Sequence, residues 1–154
     1  MGKEHVYRSQ LTWTGNKGEG TRSYTSYGRE FEINIGDKPT FYGSSDPAFR
    51  GDPTRYNPED LLVISLSSCH MLWYLHLCSA NGVIVVDYQD NASGIMIEDE
   101  NGGRFSEVTL HPVVTVKEEN MRELANALHH EAHEKCFIAN SVNFPVKVEA
   151  SSKL

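Results

Sequence analysis

No run of Lys and Arg occurs anywhere in this sequence, and its formal net charge at pH 7 is -7. A nucleic-acid-binding surface needs clustered cations, so that class of partner is excluded and the acidity serves solubility. The N-terminus, Met1-Gly2-Lys3-Glu4-His5, lacks the apolar stretch of a signal peptide. Long hydrophobic runs are equally scarce. The one stretch near bilayer length, residues 61–78, carries Ser65, Ser67, Ser68, His70 and His76, which are costly in hydrocarbon. It reads as a buried helix of a soluble protein, and no membrane partner is expected. Cysteines number only three. An odd count without a secretion signal disfavours a structural disulfide framework and points to reduced thiols in the cytoplasm, where any disulfide is transient and catalytic. Also missing are a G-x-S-x-G nucleophile elbow, a glycine-rich phosphate-binding motif, internal repeats and low-complexity segments.

What is there reads as one α+β domain over residues 1–154. Residues 4–13, 21–27 and 29–35 alternate loosely and predict three strands, the first two separated by the turn Gly15-Asn16-Lys17-Gly18-Glu19-Gly20. Residues 36–56 are rich in Gly, Pro, Asp and Ser and predict a long irregular loop, a feature often functional. Asn57-Pro58-Glu59-Asp60 is a helix start: Asn caps, Pro loses nothing at the first position, and the acids oppose the dipole. Gly82 is the expected stop. Apolar residues cover nearly every face of that helix, so it must be covered all round, and a second copy of the chain is expected to help. Strands follow over 83–89, 92–98 and 104–117, the last broken or bulged at Pro112. A helix over 118–135, a short helix or turn over 136–142 and a strand over 146–150 complete the chain.

Three groups of residues could carry chemistry. Cys69 sits mid-helix, too far from the N-terminus for help from the macrodipole. It is either a small buried hydrophobe or a nucleophile with a nearby cation. Cys136, after the second helix, is either the second thiol of a redox pair or a core residue at a helix terminus. Cys78 falls about two and a half turns beyond Cys69, on the opposite side, and reads as core. In His129-His130-Glu131-Ala132-His133 the first and last histidines lie one turn apart. The zinc-protease pattern would need Glu where His130 stands, and a solvated polar helix face is the favoured reading over a metal site.

Asn57-Pro58-Glu59-Asp60-Leu61-Leu62 followed by Ser68-Cys69 resembles the segment that opens the central helix of OsmC/Ohr (organic hydroperoxide resistance) proteins. Trp13-x-Gly15 with its glycine turn, and Cys136 after the second long helix, extend the resemblance over nearly the whole chain. It implies the OsmC-like fold, a long central buried helix between antiparallel sheets of an intertwined homodimer. It also implies a thiol peroxidase that prefers organic hydroperoxides and is reset by an external dithiol, with no metal or organic cofactor. By the same resemblance Cys69 is the peroxidatic thiol and Cys136 the resolving thiol. Glu59 positions an arginine, with Arg50 ranked first, Arg22 second and Arg55 third. His70 departs from the family, which commonly has an apolar residue after the cysteine. Leu66, Met71, Trp73 and Phe137 are candidates for an apolar pocket wall. A non-catalytic dimeric ligand-binding or stress-response module on the same fold is the alternative from a different class.

Overall fold

Strands β1 (Gln10–Trp13), β2 (Phe31–Asn34) and β3 (Phe41–Gly43) form an antiparallel sheet in that order, with Trp13 opposite Phe31 and Phe31 opposite Gly43. They belong to the first of two units into which the chain divides, one ending at Leu61 and the other running from Leu62 to Leu154. The computed structural model describes residues 2–154.

The expected strand over residues 21–27 is absent. The Asn16 carboxamide oxygen accepts from the Gly18 and Gly20 amides at 2.9 and 3.0 Å, and the Ser26 hydroxyl donates to the Gly20 carbonyl at 2.9 Å. Arg29 closes the same loop, donating to the Tyr27 and Tyr24 carbonyls at 2.5 and 2.7 Å while its guanidinium lies over both rings. Such local side-chain bonds give the backbone an alternative to a ladder. At the loop's base its two ends touch. The Gly28 amide donates to the Gly15 carbonyl at 2.7 Å, and the Trp13 indole donates to the Gly28 carbonyl at 2.9 Å. The expected loop over 36–56 holds β3 and a single 3-10 turn, Pro47–Phe49, whose amide at Ala48 is capped by Asp46 at 2.7 Å.

Helix α1 (Pro58–Ala80) starts as the sequence predicts. The Asp60 amide donates to the Asn57 side chain at 2.8 Å, and the Asn57 amide donates back to the Asp60 carboxylate at 3.1 Å, a reciprocal box worth about 1 kcal/mol or more. Gly82, at φ 74°, ends it in the left-handed conformation that glycine adopts without strain.

In the larger unit, β4 (Val85–Asp90), β5 (Ser93–Ile97), β6 (Arg104–Leu110) and β7 (Pro112–Val116) are followed by helix α2 (Arg122–Lys135), then β8 (Val146–Val148) and β9 (Ser151–Lys153). Two sheets result, in the orders β4-β7-β9 and β5-β6-β8, each with one parallel pair at its C-terminal strand. The predicted break at Pro112 is where the chain leaves one sheet for the other. There the Asp90 carboxylate accepts the His111 amide at 2.7 Å and the Ser67 hydroxyl of α1 at 2.5 Å.

Helix α1 meets both sheets. Leu66 packs with Val108 and Leu110 of β6, while Tyr74, Leu77 and Cys78 pack with Val114 and Val116 of β7 and Ala125, Leu128 and Ala132 of α2. Full burial of each large aliphatic side chain contributes about 1.5–3 kcal/mol. The helix is long and apolar enough to cross a membrane by length and composition, yet it buries Ser67 and His70 on hydrogen-bonding partners of this unit, as the core helix of a soluble protein does. It is not covered all round: Ile64 and Leu72, on one face, remain 56% and 63% exposed.

A methyl on Gly15 would stand 2.0 Å from the Gly28 carbonyl oxygen, so the two strands of chain must separate. Gly15→Ala is expected to destabilise the protein by about 1–3 kcal/mol, read as a lower urea midpoint with an unchanged slope.

Candidate active site

Three serines surround Cys69, and each is already occupied. Ser65 and Ser68 donate back to the helix carbonyls of Leu62 and Ile64 at 2.8 and 2.7 Å, and Ser67 holds Asp90. Cys69 is therefore the chemically free side chain of that turn, half-buried on α1.

Cys136 arrives from the other helix. It caps the C-terminus of α2, its amide donating to the His133 carbonyl at 3.3 Å. The following 3-10 turn, Ala139–Ser141, locks it: the Ala139 amide donates to the Cys136 sulfur at 3.4 Å, and the Asn140 amide donates to its carbonyl at 3.0 Å. The Asn140 side chain ties the turn back to the Glu134 carbonyl at 3.0 Å. So held, the fully buried Cys136 thiol lies beside the Cys69 thiol. Burial pushes Cys136 up to about 11, the Cys69 thiol adds to that rise, and the Ala139 amide opposes it. Cys136 keeps its proton through the neutral range.

An aromatic wall stands beside the two sulfurs. Trp73, one turn after Cys69 on α1, meets Phe137 edge to face at 5.4 Å, and Phe137 is 68% exposed. Lys135 lies 5.9 Å over the Trp73 ring and pairs with Glu131 at 3.4 Å. Leu66, expected as a pocket candidate, is instead wholly enclosed in the core with Val108 and Leu110. Met71 is half-buried. Cys78 sits in the core as expected, its thiol raised by burial.

The charged candidates all lie in the smaller unit. Arg22 is exposed and pairs with Glu19 at 3.4 Å. Arg50 is exposed at φ 64°, in the left-handed cap of the 3-10 turn. Arg55 reaches Asp52 at 3.6 Å and lies over the Tyr42 ring at 5.6 Å. Among the described residues no ion pair joins Glu59 to any of the three.

A further constellation on α2 departs in part from the expected solvated face. His129 is only 5% exposed, because Ala125, Leu128, His129 and Ala132 share the inner face of α2. The solvated-face reading holds for His130, which is exposed and pairs with Glu134 at 3.4 Å, and fails for His129. His129 Nδ1 lies 3.0 Å from Nε2 of His70, which burial places on the inner face of α1 with Leu66, Tyr74 and Leu77. The Tyr74 ring stacks on His129 at 3.9 Å and its hydroxyl donates to the Ala125 carbonyl at 3.0 Å. Burial holds His70 down at about 4 and His129 at about 3, so both imidazoles are neutral. His70 is thus committed to α2 across the core.

Native protein treated with iodoacetamide at pH 8 is expected to gain one adduct, at Cys69, by peptide mass mapping. Cys136 and Cys78 should react only after unfolding; two native adducts would contradict the assigned burial. Because the folded state raises Cys136 above its ordinary 9.0, its contribution to stability is complete below that value and is lost as pH rises toward about 11.

The architecture around this thiol pair is found in other proteins. An OsmC-like protein of unknown function from Vibrio cholerae is 29% identical, with a TM-score of 0.83 over 96% of this chain and 99% of that one. An organic hydroperoxide resistance protein from Elizabethkingia anophelis is 18% identical, with a TM-score of 0.70 over 99% of each chain. The organic hydroperoxide resistance protein OhrB of Bacillus subtilis is 21% identical, with a TM-score of 0.62 over 97% of this chain and 98% of that one. The last two likenesses show a shared fold. No curated protein matches the chain in sequence. Residues 51–151, which carry both thiols and both helices, match the family described as OsmC-like protein, and the chain belongs to that family.

Proposed function

We propose that the protein is a thiol peroxidase acting on organic hydroperoxides. The observation that carries the reading is the neighbouring of one half-buried thiol, Cys69, with one fully buried and protonated thiol, Cys136. The Cys69 thiolate attacks one peroxide oxygen, the O–O bond breaks, and the alkoxide takes a proton and leaves as an alcohol. Cys69 is oxidised by two electrons to the sulfenic acid. The Cys136 sulfur then displaces the sulfenic oxygen, which departs as water with the Cys136 proton, and a Cys69–Cys136 disulfide remains. An external dithiol returns both sulfurs to thiols. No step requires a metal or organic cofactor.

The Trp73–Phe137 wall supports a hydrocarbon-bearing peroxide, since apolar area removed from water there contributes about 25 cal/mol per Å². Relatives of the same fold named for organic hydroperoxide resistance support the substrate class. The cation that would favour the thiolate is assigned, on the family resemblance, to Arg50 before Arg22 and Arg55, with Glu59 orienting it. A homodimer is proposed to cover the exposed Ile64 and Leu72 face of α1, in the reducing cytoplasm where the disulfide can be reset.

One equivalent of cumene hydroperoxide should lower the intact mass by two hydrogens, with peptide mapping to Cys69–Cys136. Cys69→Ser should lose dithiol-coupled turnover by at least a hundredfold, and Cys136→Ser should accumulate a sulfenic acid that dimedone traps. Full turnover in Cys69→Ser would end the enzymatic reading. Light scattering should return the mass of two chains; a single-chain mass removes the dimer.

A further inference from the structure

Asn126, His129, His130 and His133 recur at i, i+3, i+4 and i+7 and share one side of α2. Together with Val148 and Ala150 they line an open cavity of about 400 Å³. The thiol chemistry proposed above uses none of them. One of these side chains carries an unmet need: His129 is 95% removed from solvent, and its Nε2 has no hydrogen-bond partner. A buried polar atom left without a partner is destabilising, and a ligand that met it would relieve that cost.

The other side of the same ring is fixed. Nδ1 lies on His70 Nε2 at 3.0 Å, and the ring is pressed face to face against Tyr74 at 3.9 Å. When Nδ1 holds the proton and donates it to His70, Nε2 presents a bare lone pair. Metal-binding histidines are oriented in this way, by donation from the ring nitrogen that does not ligate. His133 stands one turn along the helix, at the spacing that lets two side chains meet, and lines the same cavity. No third His, Cys, Asp or Glu converges with them among the described residues, so any ion held there keeps open coordination positions for water.

We infer that His129 Nε2 and His133 form a two-histidine chelate for a borderline divalent transition ion of the Zn²⁺, Ni²⁺ or Cu²⁺ class. Imidazole suits those ions, whereas Mg²⁺ and Ca²⁺ require oxygen ligands and find none of the carboxylates they need in this cavity. His130, held by Glu134 at the rim, lies outside the chelate. The site is independent of the peroxidase reading, since Cys69 and Cys136 contribute nothing to it.

The test uses Co²⁺ as the probe on the full chain carrying Cys69→Ser and Cys136→Ser, which removes thiolate ligands that would otherwise compete. Co²⁺ should bind saturably at one per chain in the micromolar range. Its weak visible bands should be those of nitrogen and oxygen coordination, without intense thiolate-to-metal absorption, and Zn²⁺ should displace it. His133→Ala, at a half-buried position outside the core clusters, should weaken binding at least tenfold while retaining the native circular dichroism. His130→Ala should change it less than twofold. Absence of saturable binding overturns the inference, as does equal affinity in His133→Ala, or binding that occurs only when the two thiols are present. Should His133→Ala not fold, perturbation of the His133 imidazole resonances by substoichiometric Zn²⁺ in the folded double-serine protein decides in its place.

Discussion

The buried stack of Tyr74, His129 and His70 sets how α2 lies on α1, and the meeting of the two sulfurs follows from it. Contacts run in order along the pair of helices: Tyr74 to the Ala125 carbonyl, His70 to His129, Cys69 to Cys136. The helix positions rise on one partner as they fall on the other, so the helices pass in opposite directions. Fixing the middle contact fixes the last one. Ring stacking and a single nitrogen-to-nitrogen bond are directional, unlike aliphatic packing, and so specify register as well as proximity.

That register is also why the two thiols differ. Cys69 comes from the middle of a helix whose neighbouring serines satisfy themselves, which leaves its sulfur half open. Cys136 comes from a helix end locked by a short turn and is closed off entirely. The contrast between a half-buried sulfur and a fully sheltered one needs no unusual residue. It comes from where each cysteine sits relative to its own helix terminus, and burial then raises the Cys136 thiol.

Much of this was legible beforehand, for local reasons. The start of α1 is written in Asn57-Pro58-Glu59-Asp60, its end in Gly82, and the change of sheet in Pro112; each is a backbone constraint that acts within a few residues. The loop over 21–27 was misread because its alternation imitates a strand, while Asn16, Ser26 and Arg29 bond locally. β9 went unseen because three polar residues, Ser151–Lys153, gain their strand only by pairing with Val113, Val114 and Thr115. His129 was misjudged by residue type. Its position, four after Ala125 and adjacent to Leu128, already placed it inward, and helical phase outweighed polarity because His70 was waiting opposite. The arginine that would serve Cys69 stayed undecided in the sequence, since Arg22, Arg50 and Arg55 all fall in irregular chain where no period assigns direction.

The segment interrupted at Pro112 has a mechanical meaning for the larger unit. β6 is the middle strand of one sheet and β7 the middle strand of the other, and only His111 separates them. Neither sheet can lose its centre without pulling on the same short stretch of backbone, which Asp90 and Ser67 anchor to α1. Two sheets with separate ladders are thereby made to open as one cooperative block, and amide exchange at their centres is governed by a common event.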